Sequence, residues 1–190
     1  MGWPGLCCFI AVSLPKGFKQ ELVTIQSHLK SKKFIANWAP PENFHLTLKF
    51  LGDVSQKKIP FIKRAMNTAV KEQLPFELAL GRLGAFPRLA RPKVLWAGIE
   101  DDSKVLEPLY HSLTAELDKQ GVTTGREKFV PHVTLARIKA PVHPGLVKEI
   151  LSQDIPFFSP RFSVQTIDLY NSRLTRSGAV HTPLFSTQKR

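Results

Sequence analysis

Two histidines of this chain are each followed, two positions later, by a threonine. His45 and Thr47 lie in the tetrapeptide HLTL, and His132 and Thr134 lie in the tetrapeptide HVTL. Each tetrapeptide opens an apolar run that is typical of a β-strand. Because side chains alternate between the two faces of a strand, each histidine points the same way as its threonine. Each copy therefore presents an imidazole beside a hydroxyl.

Two imidazoles that hold one substrate between them are suited to acid–base catalysis. One ring takes a proton while the other gives one, so one ring must be neutral and the other charged. A single histidine in an apolar strand is more often a buried core residue. The second copy, in the same strand context, favours catalysis and makes His45 and His132 the candidate catalytic residues.

The elements that must position these residues are also repeated along the chain. His132 follows His45 by 87 positions, and each motif is preceded by a β-like run and then by apolar residues at helical spacing. These segments are 9–14 and 16–30 before the first motif, and 94–99 and 103–119 before the second. The sequence is therefore internally duplicated, with one His-x-Thr-x motif, at 45–48 or 132–135, in each half.

After each motif, the sequence predicts a helix followed by two strands. The predicted segments are 56–72, 76–80 and 94–99 in the first half, and 144–152, 162–170 and 180–185 in the second. A chain with this order most simply forms two lobes, each a sheet with helices outside. We therefore expect one bilobal, pseudo-symmetric α+β domain over residues 1–190, with both motifs in the cleft between the lobes.

The chain is strongly basic, with 27 Lys and Arg against 15 Asp and Glu and a formal net charge of +12. Such an excess indicates a polyanionic partner, nucleic acid first, although a basic surface without a partner is the alternative. Basic residues near the proposed cleft are Lys49, Arg82, Arg88, Arg91, Lys93, Arg126, Lys128, Arg173 and Arg176. Lys49 is expected on the same face of its strand as His45. These positions suit contacts to phosphate.

The sequence shows no targeting or membrane segment, and its cysteine pattern indicates a reduced protein. The apolar run at 6–14 has no charged region before it and is too short to span a bilayer. Adjacent Cys7 and Cys8 form a poor disulfide, and strand alternation buries one of them and leaves the other near the surface. We expect a cytoplasmic protein. No coiled-coil pattern occurs, and we expect a monomer.

A metal site is the alternative use of two histidines, and the sequence gives it little support. There is no HExxH or CxxC pattern, and neither motif contains a carboxylate that completes a ligand set. Of the other histidines, His28 and His111 fall on predicted helices and His143 lies in a proline-flanked loop. His181 begins the last predicted strand and is placed to approach the cleft.

These segments resemble the 2H phosphoesterase superfamily. Within it, they are most similar to the bacterial and archaeal RNA 2′,3′-cyclic phosphodiesterases, the LigT-like proteins historically called 2′-5′ RNA ligases. The resemblance covers nearly the whole chain and is carried by segments 9–15, 38–52, 91–98, 129–137 and 169–178. One difference is His181, at a position where the family often has tyrosine.

The resemblance implies two antiparallel sheets with outer helices and a cleft between them. It also implies that RNA 2′,3′-cyclic phosphate ends, tRNA fragments among them, are hydrolysed to 2′-phosphates without metal or cofactor. His45 is then the proton donor and His132 the proton acceptor. Thr47 and Thr134 bind the phosphate oxygens. Arg137 is a further candidate phosphate ligand, although strict alternation points it away from His132.

Three other functions stay open. The first is RNA end joining, the reverse reaction, which is disfavoured because water is abundant and a second RNA end is scarce. The second is a non-catalytic RNA-binding module, whose affinity falls with salt and which has no turnover. The third is a cyclic phosphodiesterase of small nucleotides, although the basic segments at 82–93 and 173–176 favour a longer polyanion.

Overall fold

The structure, a computed structural model, describes residues 5–32, 35–125, 128–143, 145, 147, 161–176 and 178–187. Its three longer helices are α1 (Lys16–Ser31), α2 (Ile59–Val70) and α3 (Leu106–Lys119). Its strands are β1 (Leu6–Ser13), β2 (Ala36–Trp38), β3 (His45–Val54), β4 (Phe76–Phe86), β5 (Val94–Glu100), β6 (His132–Ile138), β7 (Phe162–Val164), β8 (Asp168–Thr175) and β9 (Gly178–Ser186). Short 3₁₀ turns at 41–43 and 56–58 precede β3 and α2.

The described strands form two antiparallel sheets, which confirms the predicted architecture. Sheet A has the order β3-β1-β8-β9, and sheet B has the order β2-β6-β5-β4-β7. The last two strands of the chain thus complete the sheet that begins with β1. Strand β4, which follows the first motif, lies instead in the sheet of the second motif. The two lobes therefore do not coincide with the two halves of the sequence.

Two of the three longer helices, α1 and α3, also cross between the sheets. Helix α1 follows β1 of sheet A, yet its Phe18 packs edge-on against Phe162 of sheet B, with ring centroids 4.7 Å apart. Helix α3 follows β5 of sheet B, yet its Tyr110 accepts a hydrogen bond from Lys49 of sheet A at 2.9 Å. Helices α1 and α3 therefore each contact the sheet that the preceding strand does not belong to.

The apolar faces predicted for α1 and α3 form part of the core. The core residues of α1 are Phe18, Leu22, Ile25 and Leu29, and those of α3 are Leu106, Leu109, Leu113 and Leu117. The spacing of three or four positions puts each set on one face of its helix, and burial of that face stabilises the helix on its sheet. Here periodicity alone predicted both the element and its buried side.

Several predicted segments differ from the observed elements. Helix α2 begins at Ile59, three positions later than expected, since Pro60 lacks an N–H and fits the first helical turn. The strand expected at 162–170 is divided between β7 of sheet B and β8 of sheet A. Strand β2 was not predicted, and the helix expected at 144–152 lies largely outside the described residues.

Two further observations concern the predicted environment of the chain. Cys8 is buried and Cys7 is exposed, as strand alternation predicted. Among the described residues, no helix has the length and hydropathy needed to cross a membrane.

Candidate active site

Both His–Thr pairs line one cleft between the two sheets. His45 and Thr47 come from β3, His132 and Thr134 come from β6, and the cleft has a volume of about 940 Å³. The two imidazoles are near enough that a charge on His132 lowers the pKa of His45. The structure therefore brings together the four residues that the duplicated motif singled out.

The two imidazoles are oriented identically by the backbone. The Nδ1 of His45 lies 2.7 Å from the carbonyl oxygen of Asn43, and the Nδ1 of His132 lies 2.7 Å from that of Val130. A carbonyl oxygen only accepts hydrogen bonds, so Nδ1 carries the proton in both rings. Each ring is thus left with Nε2 as the nitrogen that can take or give a proton.

An aromatic residue from an equivalent position packs against each of these histidines. Phe9 precedes His45 by 36 positions, and Trp96 precedes His132 by 36 positions. The Phe9 ring stacks on His45 with centroids 4.7 Å apart, and the Trp96 ring lies 6.0 Å from His132. Phe86 adds an edge-on contact to His132 at 4.9 Å. These rings remove water from one side of each imidazole.

This desolvation determines the protonation state of both histidines. Burial lowers the pKa of His45 to about 4, although its bond to the Asn43 carbonyl acts in the opposite direction. Positive charge on His181, Lys19 and His132 lowers the pKa of His45 further. Burial also lowers the pKa of His132 below its usual value. Both rings are therefore neutral at neutral pH when the cleft holds no anion.

Strands β3 and β6 carry the same irregularity after their threonines. In β3 the pairing with β1 slips by one residue after Thr47, and in β6 the pairing with β5 slips by one residue after Thr134. Each slip is a β-bulge that adds one residue and restarts the alternation of side chains. The fifth residue after each histidine, Phe50 or Arg137, consequently returns to the cleft.

The two bulges explain where the structure differs from sequence-based expectations for Arg137 and Lys49. Arg137 lines the cleft, even though strict alternation points it away from His132. Lys49 was expected beside His45, and that expectation is wrong. The bulge turns its side chain into the protein, where it is 3% exposed and donates to Tyr110 Oη and to the Gly125 carbonyl. Phe50, which is 66% exposed, takes the place at the cleft instead.

A buried glutamine supports the bulge of β6. Gln26 of α1 is 2% exposed, and its Nε2 donates to the carbonyl oxygens of Leu135 and Ala39, each at 2.8 Å. The Leu135 carbonyl also accepts from the Ala39 N–H at 2.9 Å, in continuation of the pairing between β2 and β6. The sequence analysis missed this residue, and the only signal was a glutamine on the apolar face of α1.

His181 is a third imidazole of the cleft. Its ring lies edge-on to His45, with centroids 5.3 Å apart, and burial lowers its pKa. Its Nδ1 is buried and meets no hydrogen-bond partner in the described part of the chain, so only Nε2 can meet a ligand.

Strands β3 and β9 are the two edges of sheet A, so the sheet must curl to bring the rings of His45 and His181 together. The Asn43 side chain closes that curl by donating to the Ala179 carbonyl at 2.7 Å.

Apart from the buried Lys49, the predicted basic residues that the structure describes are divided among three locations. Arg176 lines the cleft together with Arg137, while Arg91 and Lys93 line a smaller neighbouring pocket. The remaining ones are exposed outside both cavities: Arg82, Arg88, Lys128 and Arg173. Arg126 lies outside the described residues. The expectation that basic side chains gather at the cleft is therefore met by only some of them.

The fold and the paired motifs define a phosphoesterase of the LigT type. The family model described as "LigT like Phosphoesterase" matches the chain twice, over residues 12–96 and 99–181. Each match contains one His-x-Thr-x motif, in agreement with the internal duplication. The chain belongs to this family.

Curated relatives and solved structures are similar over nearly the whole chain. An RNA 2′,3′-cyclic phosphodiesterase of Thermotoga maritima is 33% identical, over 95% of this chain and 94% of the relative. A protein of the same name from Methanothermobacter thermautotrophicus is also 33% identical, over 93% and 95% of the two chains. The crystal structure of TT0787 of Thermus thermophilus superposes with a TM-score of 0.79 at 27% identity, covering 96% and 97%. That of E. coli LigT complexed with 3′-AMP superposes with a TM-score of 0.72 at 25% identity, covering 98% and 99%.

Proposed function

We propose that this chain hydrolyses the 2′,3′-cyclic phosphate ends of RNA to 2′-phosphates, with His45 and His132 as the acid–base pair. The observation that carries the proposal is the matched orientation of the two imidazoles. Each is held through Nδ1 by a backbone carbonyl and directs Nε2 to the shared cleft. The relatives named RNA 2′,3′-cyclic phosphodiesterase support the choice of substrate.

The reaction needs a base and an acid on opposite sides of phosphorus. Water attacks the phosphorus as the bond to the ribose 3′ oxygen breaks, so the entering and leaving oxygens lie roughly in line. Nε2 of His132 takes a proton from the attacking water, and Nε2 of His45 gives its proton to the leaving 3′ oxygen. Histidines carried by two facing sheets suit this geometry. The product keeps its phosphate on the 2′ oxygen.

The threonines of the two motifs and the residues after the bulges bind the substrate during this step. The hydroxyls of Thr47 and Thr134 donate hydrogen bonds to the two non-bridging oxygens, which gain negative charge as water adds. Arg137 contributes a positive charge from the β6 wall. Phe50 offers a ring on the β3 wall on which a nucleobase can stack.

A bound phosphodiester also adjusts the protonation of the pair. Both histidines have lowered pKa values in the free protein, and His45 must carry a proton to act as the acid. An anion placed between the rings favours their charged forms and raises both pKa values. The proposed roles therefore require the bound anion to stabilise a proton on His45 more than on His132, which must stay neutral to act as the base.

The reverse reaction, 2′-5′ joining of RNA ends, uses the same groups in the opposite order. The cleft wall contains Leu174, which is 88% exposed, and Phe50, which is 66% exposed. The cleft is therefore open to solvent at these two side chains, and we expect hydrolysis to dominate because water is far more abundant than a second RNA end. A monomeric state and a cytoplasmic location stay predictions.

The experiment is hydrolysis of a short RNA ending in a 2′,3′-cyclic phosphate, in the presence of EDTA. The unaltered chain is compared with His45→Ala and His132→Ala, and with His143→Ala, an exposed histidine outside the cleft, as the control. Each cleft variant should lose on the order of 10²–10⁴-fold in kcat, and the double variant should lose much less than the product of the two.

The outcomes separate the alternatives. A 2′-phosphate product that survives EDTA and disappears in both cleft variants supports the two-histidine mechanism. RNA affinity without turnover indicates a binding module instead, and turnover that EDTA abolishes indicates a metal site. Joined products in the presence of a 5′-hydroxyl RNA identify the ligase reaction.

A further inference from the structure

A second concave surface adjoins the cleft at one end of sheet B. It is lined by residues 90–93 and 138–142 and has a volume of about 320 Å³. Its charged side chains are those of Arg91, Lys93 and Lys139, all exposed, and the described lining contains no acidic residue. We call these three residues the β5–β6 basic surface.

This surface is continuous with the cleft through a single pair of strand residues. Val94 of β5 pairs with Arg137 of β6, and both residues line the cleft. The next residues outward, Lys93 and Ile138, line the second surface and are joined by a hydrogen bond from the Ile138 N–H to the Lys93 carbonyl at 2.9 Å. A ligand that leaves the cleft along this edge therefore meets the basic surface next.

The backbone of the basic surface is held by hydrogen bonds to other segments. The N–H of Lys93 donates to the Phe86 carbonyl at 2.6 Å, and the N–H of Lys139 donates to the Ile35 carbonyl at 2.8 Å. Because these bonds fix the backbone before a ligand arrives, less ordering is needed on binding. These bonds fix the backbone positions from which the charged side chains extend.

The three charges are available to an external anion. Among the described residues, the ion pairs are Lys119 with Glu116 and Arg161 with Asp102, and neither includes a residue of the basic surface. Lys and Arg side chains without carboxylate partners attract phosphates and release the counterions that surround a nucleic acid.

We propose that the β5–β6 basic surface binds the backbone phosphates of the RNA that precedes the cyclic end. The cyclic phosphate is the 3′ terminus, so every other phosphate of the substrate lies on its 5′ side. Lys139 follows Thr134 by five residues, one of which is the bulge residue, so at strand spacing the two lie about 13 Å apart, beyond the reach of a single nucleotide. This proposal rests on the proposed function and narrows its substrate to RNA chains rather than cyclic mononucleotides.

The test measures how binding depends on RNA length and salt. The probes are a dinucleotide and a decanucleotide that both end in 2′-phosphate, the product form, so that no turnover occurs. The test variant combines Arg91→Gln, Lys93→Gln and Lys139→Gln. The control variant combines Lys57→Gln, Arg64→Gln and Lys71→Gln, which removes the same charge from exposed positions in or beside α2.

For the decanucleotide, the test variant should lower the slope of log Kd against log salt by about 2, since each phosphate contact on a single strand contributes about 0.7. The loss of affinity should be larger for the decanucleotide than for the dinucleotide. The control variant should keep the slope of the unaltered chain. Thermal unfolding of both variants checks that they remain folded.

Two results would overturn the proposal. One is an equal change in the salt slope of log Kd for the test and control variants, which would mean that only the net charge of the protein matters. The other is a slope that changes with Arg173→Gln and Arg176→Gln but not with the test variant, which would place the RNA on the β8–β9 hairpin. Both readouts are binding measurements, so they stay informative even if hydrolysis of the cyclic end is not found.

Discussion

Phe50 and Arg137 occupy equivalent places on opposite walls of the cleft. Each is the fifth residue after its histidine, and each returns to the cleft because a β-bulge follows the threonine of its motif. The duplicated halves thus match in imidazole and hydroxyl but differ at this position. One wall presents an aromatic ring and the other presents a positive charge, so the cleft is symmetric in its acid–base groups and asymmetric in its substrate contacts.

The first prediction concerns that asymmetry. Arg137→Met keeps much of the side-chain length but removes the positive charge that we propose contacts the substrate phosphate. A hydrogen bond to a charged group contributes about 1.5–3 kcal/mol, so kcat/KM for a cyclic-phosphate RNA should fall about tenfold to a hundredfold, mainly through KM. Arg82→Met, at an exposed position outside the cleft, is the matched control. An equal effect of the two variants would show that Arg137 does not contact the substrate.

A second prediction concerns the pH dependence of kcat/KM, which reports the pKa values of the free protein. The proposed mechanism requires one of the pair to be protonated and the other neutral. Burial lowers the pKa of His45 to about 4 and also lowers that of His132. The singly protonated form is therefore most populated below pH 6.5, the usual value for histidine. We expect a bell-shaped profile of kcat/KM with its maximum on the acid side of that value. A maximum above neutrality would contradict these burial effects.

A third prediction is that binding of a phosphate anion is accompanied by proton uptake. The free cleft holds neutral imidazoles at neutral pH, and an anion between them raises their pKa values. Calorimetry of 2′-AMP binding in buffers of different ionisation enthalpy should give a net uptake that grows as the pH falls toward 6. His45→Gln should reduce the uptake, and His143→Gln should not. Binding without any proton exchange would mean that the anion does not contact the imidazoles.

A fourth prediction concerns the packing of the Trp96 ring against His132. A Cβ atom added at Gly84 would lie 2.1 Å from the Trp96 ring, so Gly84→Ala must displace that ring from His132. We expect the unfolding free energy to fall by about 1–3 kcal/mol and kcat to fall as well. Gly17→Ala in α1, where no atom lies within 4 Å of the added Cβ, is the control and should be neutral or stabilising. Unchanged kcat in Gly84→Ala would show that the position of the Trp96 ring is unimportant for His132.

A fifth prediction concerns the buried amide that supports the β6 bulge. Gln26→Leu removes the donor to the Ala39 and Leu135 carbonyls and leaves buried acceptors with fewer partners. The unfolding free energy should fall by about 1–3 kcal/mol, and KM should rise because Arg137 follows the bulge. The control is Gln20→Leu, at an exposed position of the same helix, which should change neither the unfolding free energy nor KM. A loss of stability with an unchanged KM would mean that the bulge holds Arg137 without the glutamine.

The features that depend on local spacing were predicted from the sequence. The repeated His-x-Thr-x motifs identified the four cleft residues at 45, 47, 132 and 134, since two residues that are two apart share a strand face. Helical spacing likewise identified the buried faces of α1 and α3. Cys7 and Cys8 were assigned to opposite faces for the same reason.

Features that depend on pairing between distant segments were decided by the tertiary structure. Lys49 is buried and Arg137 faces the cleft because each bulge arises from how one strand pairs with its neighbour, and a pattern within a single strand does not contain that information. The placement of β8 and β9 beside β1, and of His181 beside His45, depends on sheet order and curl. The lowered pKa of His45 follows in turn, because desolvation is the sum of all groups packed around the ring. Sequence spacing sets which way a side chain points within its own element, whereas only the packing of whole elements sets what it faces.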